Sequence, residues 1–114
     1  MKLTPEQLAP RLAQLPDWQW LPARGGVLTR SFRLRDFAQA MGFMCQVALL
    51  AEKHDHHPEW FNCYDRVDVT LTTHDVQGVS LRDIWLALAM DQVAEALAGQ
   101  SAGPSIADRE MAHA

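Results

Sequence analysis

Glu52-Lys53-His54-Asp55-His56-His57-Pro58-Glu59-Trp60 opens the stretch that decides the fold, and Thr72-Thr73-His74 followed by Ser80-Leu81-Arg82-Asp83 closes it. Pro58 pushes His57 out of the α region, so the helix carrying the preceding apolar positions has to stop near Lys53 or His54. The histidines then lie in a loop leaving that helix. Beyond Pro58 the apolar period changes from about 3.6 to 2. Phe61-Asn62-Cys63-Tyr64 reads as a short strand, Asp65-Arg66 as a tight connection and residues 67–74 as a long strand. Val67, Val69, Leu71 and Thr73 face one way, and Asp68, Thr70, Thr72 and His74 the other. Gly78 turns the chain, and Ser80 to Asp83 starts a last helix whose early apolar positions are Leu81, Ile84, Trp85 and Leu88.

Upstream the same reasoning gives a second hairpin and two helix starts. Asp36, with Gln39 three residues on, caps a helix whose apolar positions are Phe37, Met41, Met44, Val47, Ala48 and Ala51. Trp18-Gln19-Trp20 and residues 27–34 alternate as strands around the turn Ala23-Arg24-Gly25-Gly26. Thr4-Pro5-Glu6-Gln7 is a helix start with Thr4 as N-cap, Pro5 at N1 and Gln7 completing a capping box, and Pro16 ends that helix. The order is α-β-β-α-β-β-α: an α+β fold with one four-stranded antiparallel sheet and helices packed on one face. Residues 1–98 are expected to form one domain. The segment 99–114, poor in large apolar side chains, is expected to be a mobile tail.

The chain has 114 residues, enough for one domain that needs neither disulfide nor metal to fold. Ten Lys and Arg against fourteen Asp and Glu, net charge -4, argue against DNA or an acidic membrane as partner. No apolar run approaches the ~20 residues of a membrane span, and the start carries no apolar leader core, so a cytoplasmic location is expected. Cys45 and Cys63 form no CxxC and read as two reduced, partly buried thiols. There is no Gly-rich phosphate loop, HExxH or nucleophile elbow.

Four of the five histidines lie in the 52–83 run. Imidazole titrates near pH 6.5, so several of them beside carboxylates point to acid/base chemistry or to metal binding. A metal-dependent hydrolase or carrier would use His54, His56, His57 and His74 with Asp55. Catalytic zinc, however, more often takes i, i+4 helical pairs or alternate strand positions than an HxHH loop. Several residues have structural readings beside the functional ones. Asp83 is also the N3 carboxylate of a capping box after Ser80, Trp60 is also a core residue, and His74 alone would be an ordinary surface histidine. His54 reads as an exposed helix end, His113 lies in the tail, and Met41, Phe43 and Met44 read as core or subunit interface. Arg24-Gly25-Gly26 reads as a turn rather than an anion site.

Glu52-Lys53, Asp55-His56-His57-Pro58-Glu59-Trp60, Asn62, Tyr64, Thr73-His74, Gly78, Ser80 and Asp83 resemble, in order and spacing, the signature of the pterin-4a-carbinolamine dehydratases. The resemblance extends through Phe32, Asp36-Phe37, Gly42-Phe43-Met44 and Ile84, from about Trp18 to Val93. It implies a hydro-lyase that removes water from the 4a-hydroxytetrahydropterin made by aromatic amino acid hydroxylases, giving quinonoid dihydropterin, with no metal and no cofactor. It also implies that His56, His57 and His74 are the functional histidines and that Asp83 completes the set. On this reading His56 and His74 exchange the protons, His57 holds the pterin, and Asp83 orients His74. Glu52, Asp55, Trp60, Thr72 and Thr73 are expected to line the pocket. A homodimer or homotetramer is implied, and functional coupling to a hydroxylase is expected. The competing reading is a protein interaction module of the dimerisation-cofactor type, which would not need the histidines. Trp85, and the presence of both Trp18 and Trp20, depart from the family pattern.

Overall fold

Thr4 caps the first helix as its side chain dictates: its hydroxyl accepts from the Gln7 N–H at 3.2 Å, while Gln7 Oε1 accepts from the Thr4 N–H at 2.9 Å. The computed structural model describes residues 1–99. In chain order these form α1 (Pro5–Leu12), β1 (Gln19–Leu21), β2 (Val27–Arg33), α2 (Phe37–Lys53), β3 (Glu59–Cys63), β4 (Arg66–Leu71) and α3 (Leu81–Ala98), with 3₁₀ turns at Ala23–Gly25 and His74–Val76. The strands make one antiparallel sheet in the order β1-β2-β4-β3. Leu28 pairs with Leu71, Arg30 with Val69 and Phe32 with Val67, which aligns the apolar residues of both central strands on one face. Thr29, Ser31, Thr70 and Asp68 take the other face.

The apolar face meets Ala40, Phe43 and Val47 of α2 and Ile84, Leu86, Ala87 and Met90 of α3. Phe32 sits at the centre, its ring centroid 4.7 Å from that of Phe43 and 5.8 Å from that of Trp18. Side chains of this size contribute roughly 1.5–3 kcal/mol each when fully buried. The α+β architecture and the element order agree with the sequence.

The face that α2 buries agrees with the expected one at Val47 and Ala51 and departs from it elsewhere. Ala40, Phe43, Val47 and Ala51 point inward, whereas Phe37, Met41 and Ala48 are exposed and Met44 is half-buried. The helix is apolar around most of its circumference, so the 3.6-residue period fits two faces, and only contact with the sheet selects one. Strand bounds shift for local reasons. β1 starts after Trp18, which is buried with its Nε1 donating to Asp91 Oδ1 at 2.8 Å. The second hairpin turns at Tyr64-Asp65, with Tyr64 at φ +56°, so β3 begins at Glu59 and β4 already at Arg66. Cys45 and Cys63 are unpaired but exposed rather than partly buried, since both point away from the helix–sheet interface. The expected mobile tail lies, beyond Gly99, outside the described residues. No helix among the described residues is long and apolar enough to cross a membrane.

Candidate active site

The C-terminus of α2 sets the first half of the site. His54 caps the helix at φ -101°, and Asp55 follows in the left-handed region at φ +51°. The His56 N–H then donates back to the Ala51 carbonyl at 3.1 Å. This reversal drops the His56 side chain inward, where the residue is 8% exposed, and leaves the His57 side chain 57% exposed. His54 turns elsewhere, its ring centroid 4.1 Å from that of Trp85.

His56 meets Asp83, a carboxylate with no exposed surface, at 2.6 Å from Nε2 to Oδ1. A buried carboxylate is tolerated only when hydrogen bonds replace its water. Asp83 Oδ2 accepts from the Thr73 hydroxyl at 2.7 Å and from the Ser80 N–H at 2.9 Å. Thr73 Oγ1 in turn lies 2.6 Å from Ser80 Oγ. The capping box at the start of α3 and the carboxylate of the histidine cluster are therefore one structure. Because Nε2 faces a carboxyl group whose other oxygen already accepts two hydrogen bonds, the ring proton of His56 is assigned to Nε2, and Nδ1 has no hydrogen-bond partner among the described residues.

The other two histidines are open. His57 Nε2 lies 2.8 Å from Glu52 Oε1. His74 Nε2 lies 3.5 Å from Glu59 Oε2, with the His74 side chain 74% exposed. The strand expected to reach His74 stops at Leu71, because Thr73 bridges Gly78 and the intervening residues close into a 3₁₀ turn that His74 opens. His74 and Thr72 line a cleft of about 390 Å³ together with Lys2, Arg24, Gly25 and Gln77.

The expected pairing of Asp83 changes. Asp83 orients His56 rather than His74, because Thr73 delivers its own hydroxyl to Asp83 and the chain then swings His74 outward. Thr73 spends its hydroxyl inside this network. Thr72 lines the cleft but donates its hydroxyl to the Gly26 carbonyl at 2.9 Å. Trp60 is half-buried against the hydrophobic core, on the helix-facing side of β3. Glu52 and Asp55 are exposed at the rim of the histidine loop. Among the described residues no three His, Cys, Asp or Glu side chains converge as a metal ion would require, and the four histidines of the alternative metal set point to four different partners.

Glu59 and Arg24 are additions that the sequence reading missed. Arg24 grips Glu59 with both terminal nitrogens of its guanidinium, Nη1 to Oε2 at 2.8 Å and Nη2 to Oε1 at 3.0 Å. These bonds, more than any other influence, hold the Glu59 carboxyl below the ordinary range. Glu59 stands inside the histidine run itself, the one signal the sequence offered for it, whereas nothing local marks Arg24.

The family profile described as pterin 4 alpha carbinolamine dehydratase matches residues 1–93 of this chain. The chain belongs to that family. A dehydratase-family relative from Burkholderia multivorans, provisionally named pterin-4-alpha-carbinolamine dehydratase, is 54% identical over 93 residues, 82% of this chain and 90% of the relative. One from Novosphingobium aromaticivorans with the same provisional name is 56% identical over 90 residues, covering 79% and 93%. Among solved structures, a transcriptional coactivator/pterin dehydratase from Brucella melitensis superposes with a TM-score of 0.78 at 50% identity, covering 82% of this chain and 99% of that one. A pterin dehydratase-like protein identified as a RuBisCO assembly factor in the alpha-carboxysome shares the fold, with a TM-score of 0.60 at 22% identity over 75% of this chain and 93% of that one. The pterin carbinolamine dehydratase fold is thus common to proteins described by different roles, and the function of this member has to be argued from its site.

Proposed function

We propose that this chain eliminates water from a 4a-hydroxytetrahydropterin, giving quinonoid dihydropterin and so recycling the pterin used by an aromatic amino acid hydroxylase. The observation that supports the reading is that His57 and His74 are exposed, each beside a carboxylate, while His56 is held by the buried Asp83, which also accepts from Thr73, the residue before His74. In the reaction the C4a–O bond breaks, the hydroxyl leaves as water after gaining a proton, and N5 loses its proton to complete the quinonoid system. One group that gives a proton and one that takes it are sufficient, and each contributes typically 10²–10⁴-fold when positioned. His57 and His74 are accessible enough for both tasks, so His57 takes the proton-transfer role first expected of the nearly buried His56, and His56 the pterin contact first expected of His57. His56, tied through Nε2 to Asp83, presents Nδ1 as a fixed contact for the pterin. The reading needs no metal and no cofactor.

The test is the decay of the carbinolamine absorbance in a hydroxylase reaction with and without catalytic amounts of the protein. Concentration-dependent acceleration supports the dehydratase; decay at the uncatalysed rate sinks it. Self-association is part of the proposal. Phe37 and Met41 on the outer side of α2, Phe61 on the edge strand β3 and Tyr64 in the turn after it leave large apolar side chains exposed, as subunit interfaces do. A homodimer or homotetramer is expected by light scattering, and a monomer at all concentrations would contradict this. The coactivator description of the Brucella melitensis relative favours a second reading as an interaction module, for which His57→Ala with His74→Ala would leave function intact.

A further inference from the structure

The turn after β1 looks like a mere connection in the sequence, yet it is keyed to the turn that carries His74. Arg24 adopts φ +53°, ψ +32°, a left-handed conformation uncommon for a residue with a side chain. At Gly25, φ +83°, any Cβ would overlap the Gln77 carbonyl, and a Cβ on Gly78 would come within 3.0 Å of the Gly25 oxygen. The Thr72 hydroxyl donates to the Gly26 carbonyl. The two turns thus lock together over the end of β4. From this platform the Arg24 guanidinium reaches across to Glu59, the first residue of β3, and forms two parallel hydrogen bonds, a geometry that fixes the carboxylate plane as well as its position.

We propose that Arg24 and Glu59 are positioning residues for His74, holding the imidazole by its Nε2 side at the mouth of the cleft and leaving Nδ1 as the nitrogen offered to substrate. The inference rests on the reading that His74 transfers a proton in the dehydration. Glu59 Oε2 lies 3.5 Å from His74 Nε2, and the same oxygen accepts from Arg24. The charged groups around His74 come from three separate elements: Glu59 from β3, Arg24 from the first turn and Lys2 from the segment before α1. Asp75 follows His74 in the same turn, and Glu59 is the anion that stands against the His74 ring, at 3.5 Å from Nε2. Arg24 keeps that anion ionised and in one orientation, so Arg24 acts on His74 through Glu59. An exposed ion pair by itself contributes little to stability. A purely structural role therefore leaves both stability and rate nearly unchanged, whereas positioning moves the rate.

The experiment uses the full-length protein and the variants Glu59→Gln, Arg24→Ala and His74→Ala, with kcat and KM measured for the carbinolamine. Glu59→Gln is expected to lower kcat about tenfold, a part of the 10²–10⁴ that a positioned acid or base supplies, with KM within about twofold of wild type. Arg24→Ala should act in the same direction, and adding Glu59→Gln to His74→Ala should lower kcat no further. A second readout needs no substrate: the ¹⁵N signals of the His74 ring should shift in both Glu59→Gln and Arg24→Ala. Unchanged kcat in Glu59→Gln while His74→Ala loses activity would overturn the positioning role and leave the dehydratase reading standing. If wild type proves inactive, His74 ring signals that coincide in wild type, Glu59→Gln and Arg24→Ala would overturn the positioning on its own.

Discussion

Asp83→Ala removes the one acceptor shared by three donors, and the consequences for each can be followed separately. The Thr73 hydroxyl keeps a partner, because Ser80 Oγ lies 2.6 Å away. The Ser80 N–H loses its capping-box carboxylate at the first turn of α3, a loss of ~0.5–2 kcal/mol by analogy with other caps. His56 is left with Nε2 unpartnered and nearly buried, which adds ~1–3 kcal/mol. Together these give a destabilisation of about 1.5–5 kcal/mol, or a fall in Tm of roughly 6–40 °C for a domain of this size. Asp83→Asn keeps the shape and one oxygen for the Ser80 N–H but turns an amide toward His56 or Thr73, so it should fall between alanine and wild type. Urea titration followed by far-UV circular dichroism checks the order, at one fixed protein concentration because assembly would make the midpoint concentration-dependent. Asp83→Ala within about 0.5 kcal/mol of wild type, the range of unremarkable surface changes, would refute the idea that this carboxylate joins the helix cap to the histidine loop.

Other outcomes follow from the same coordinates. Phe43→Ala, at a fully buried position against Phe32, should cost about 3–5 kcal/mol in the same titration. Gly25→Ala should lower Tm and disturb the cleft together, since the new methyl group meets the Gln77 carbonyl; an unchanged Tm would show that the two turns are not locked. The Glu59 carboxyl is held below the ordinary glutamate range, chiefly by its hydrogen bonds from Arg24, and that of Asp36 below the ordinary aspartate range, chiefly by the Gln39 N–H. A depressed folded-state pKa gives stability that is present above the unfolded value and is lost as pH falls through the folded one. Wild type should therefore lose stability more steeply than the Glu59→Gln, Asp36→Asn double variant as pH drops below about 4.5, in acid titrations of urea midpoints; parallel curves would contradict the assignments.

Local chemistry made much of the fold legible. Thr4-Pro5-x-Gln7 and Ser80-x-x-Asp83 announce helix starts because their hydrogen bonds close within three residues, and both boxes form. Alternation in 67–71 announced β4 because its partner strand brings apolar residues to the same face. The parts that were not legible depend on distant partners. Which face α2 buries is decided by the sheet, since Phe37 and Met41 are as apolar as Phe43. Asp83 meets His56 across 27 residues, and Arg24 meets Glu59 across 35. The β1-β2-β4-β3 order brings the turn after β1, the end of β4 and the start of β3 to one edge of the molecule. Nothing in the local pattern of Ala23-Arg24-Gly25-Gly26 encodes that neighbourhood. His74 left its expected strand for a local reason instead: Thr73 bridges Gly78, and the residues between close into a 3₁₀ turn that the alternation does not announce.

The most direct test of the account is kcat/KM for 4a-hydroxytetrahydropterin in wild type, His57→Ala, His74→Ala and the double variant, each confirmed folded by circular dichroism. The two exposed histidines are predicted to be the proton-transfer groups, so each single change should lower kcat/KM by about 10²-fold or more, and the double variant should approach the uncatalysed rate. Dehydration at the wild-type rate by the folded double variant would contradict the account.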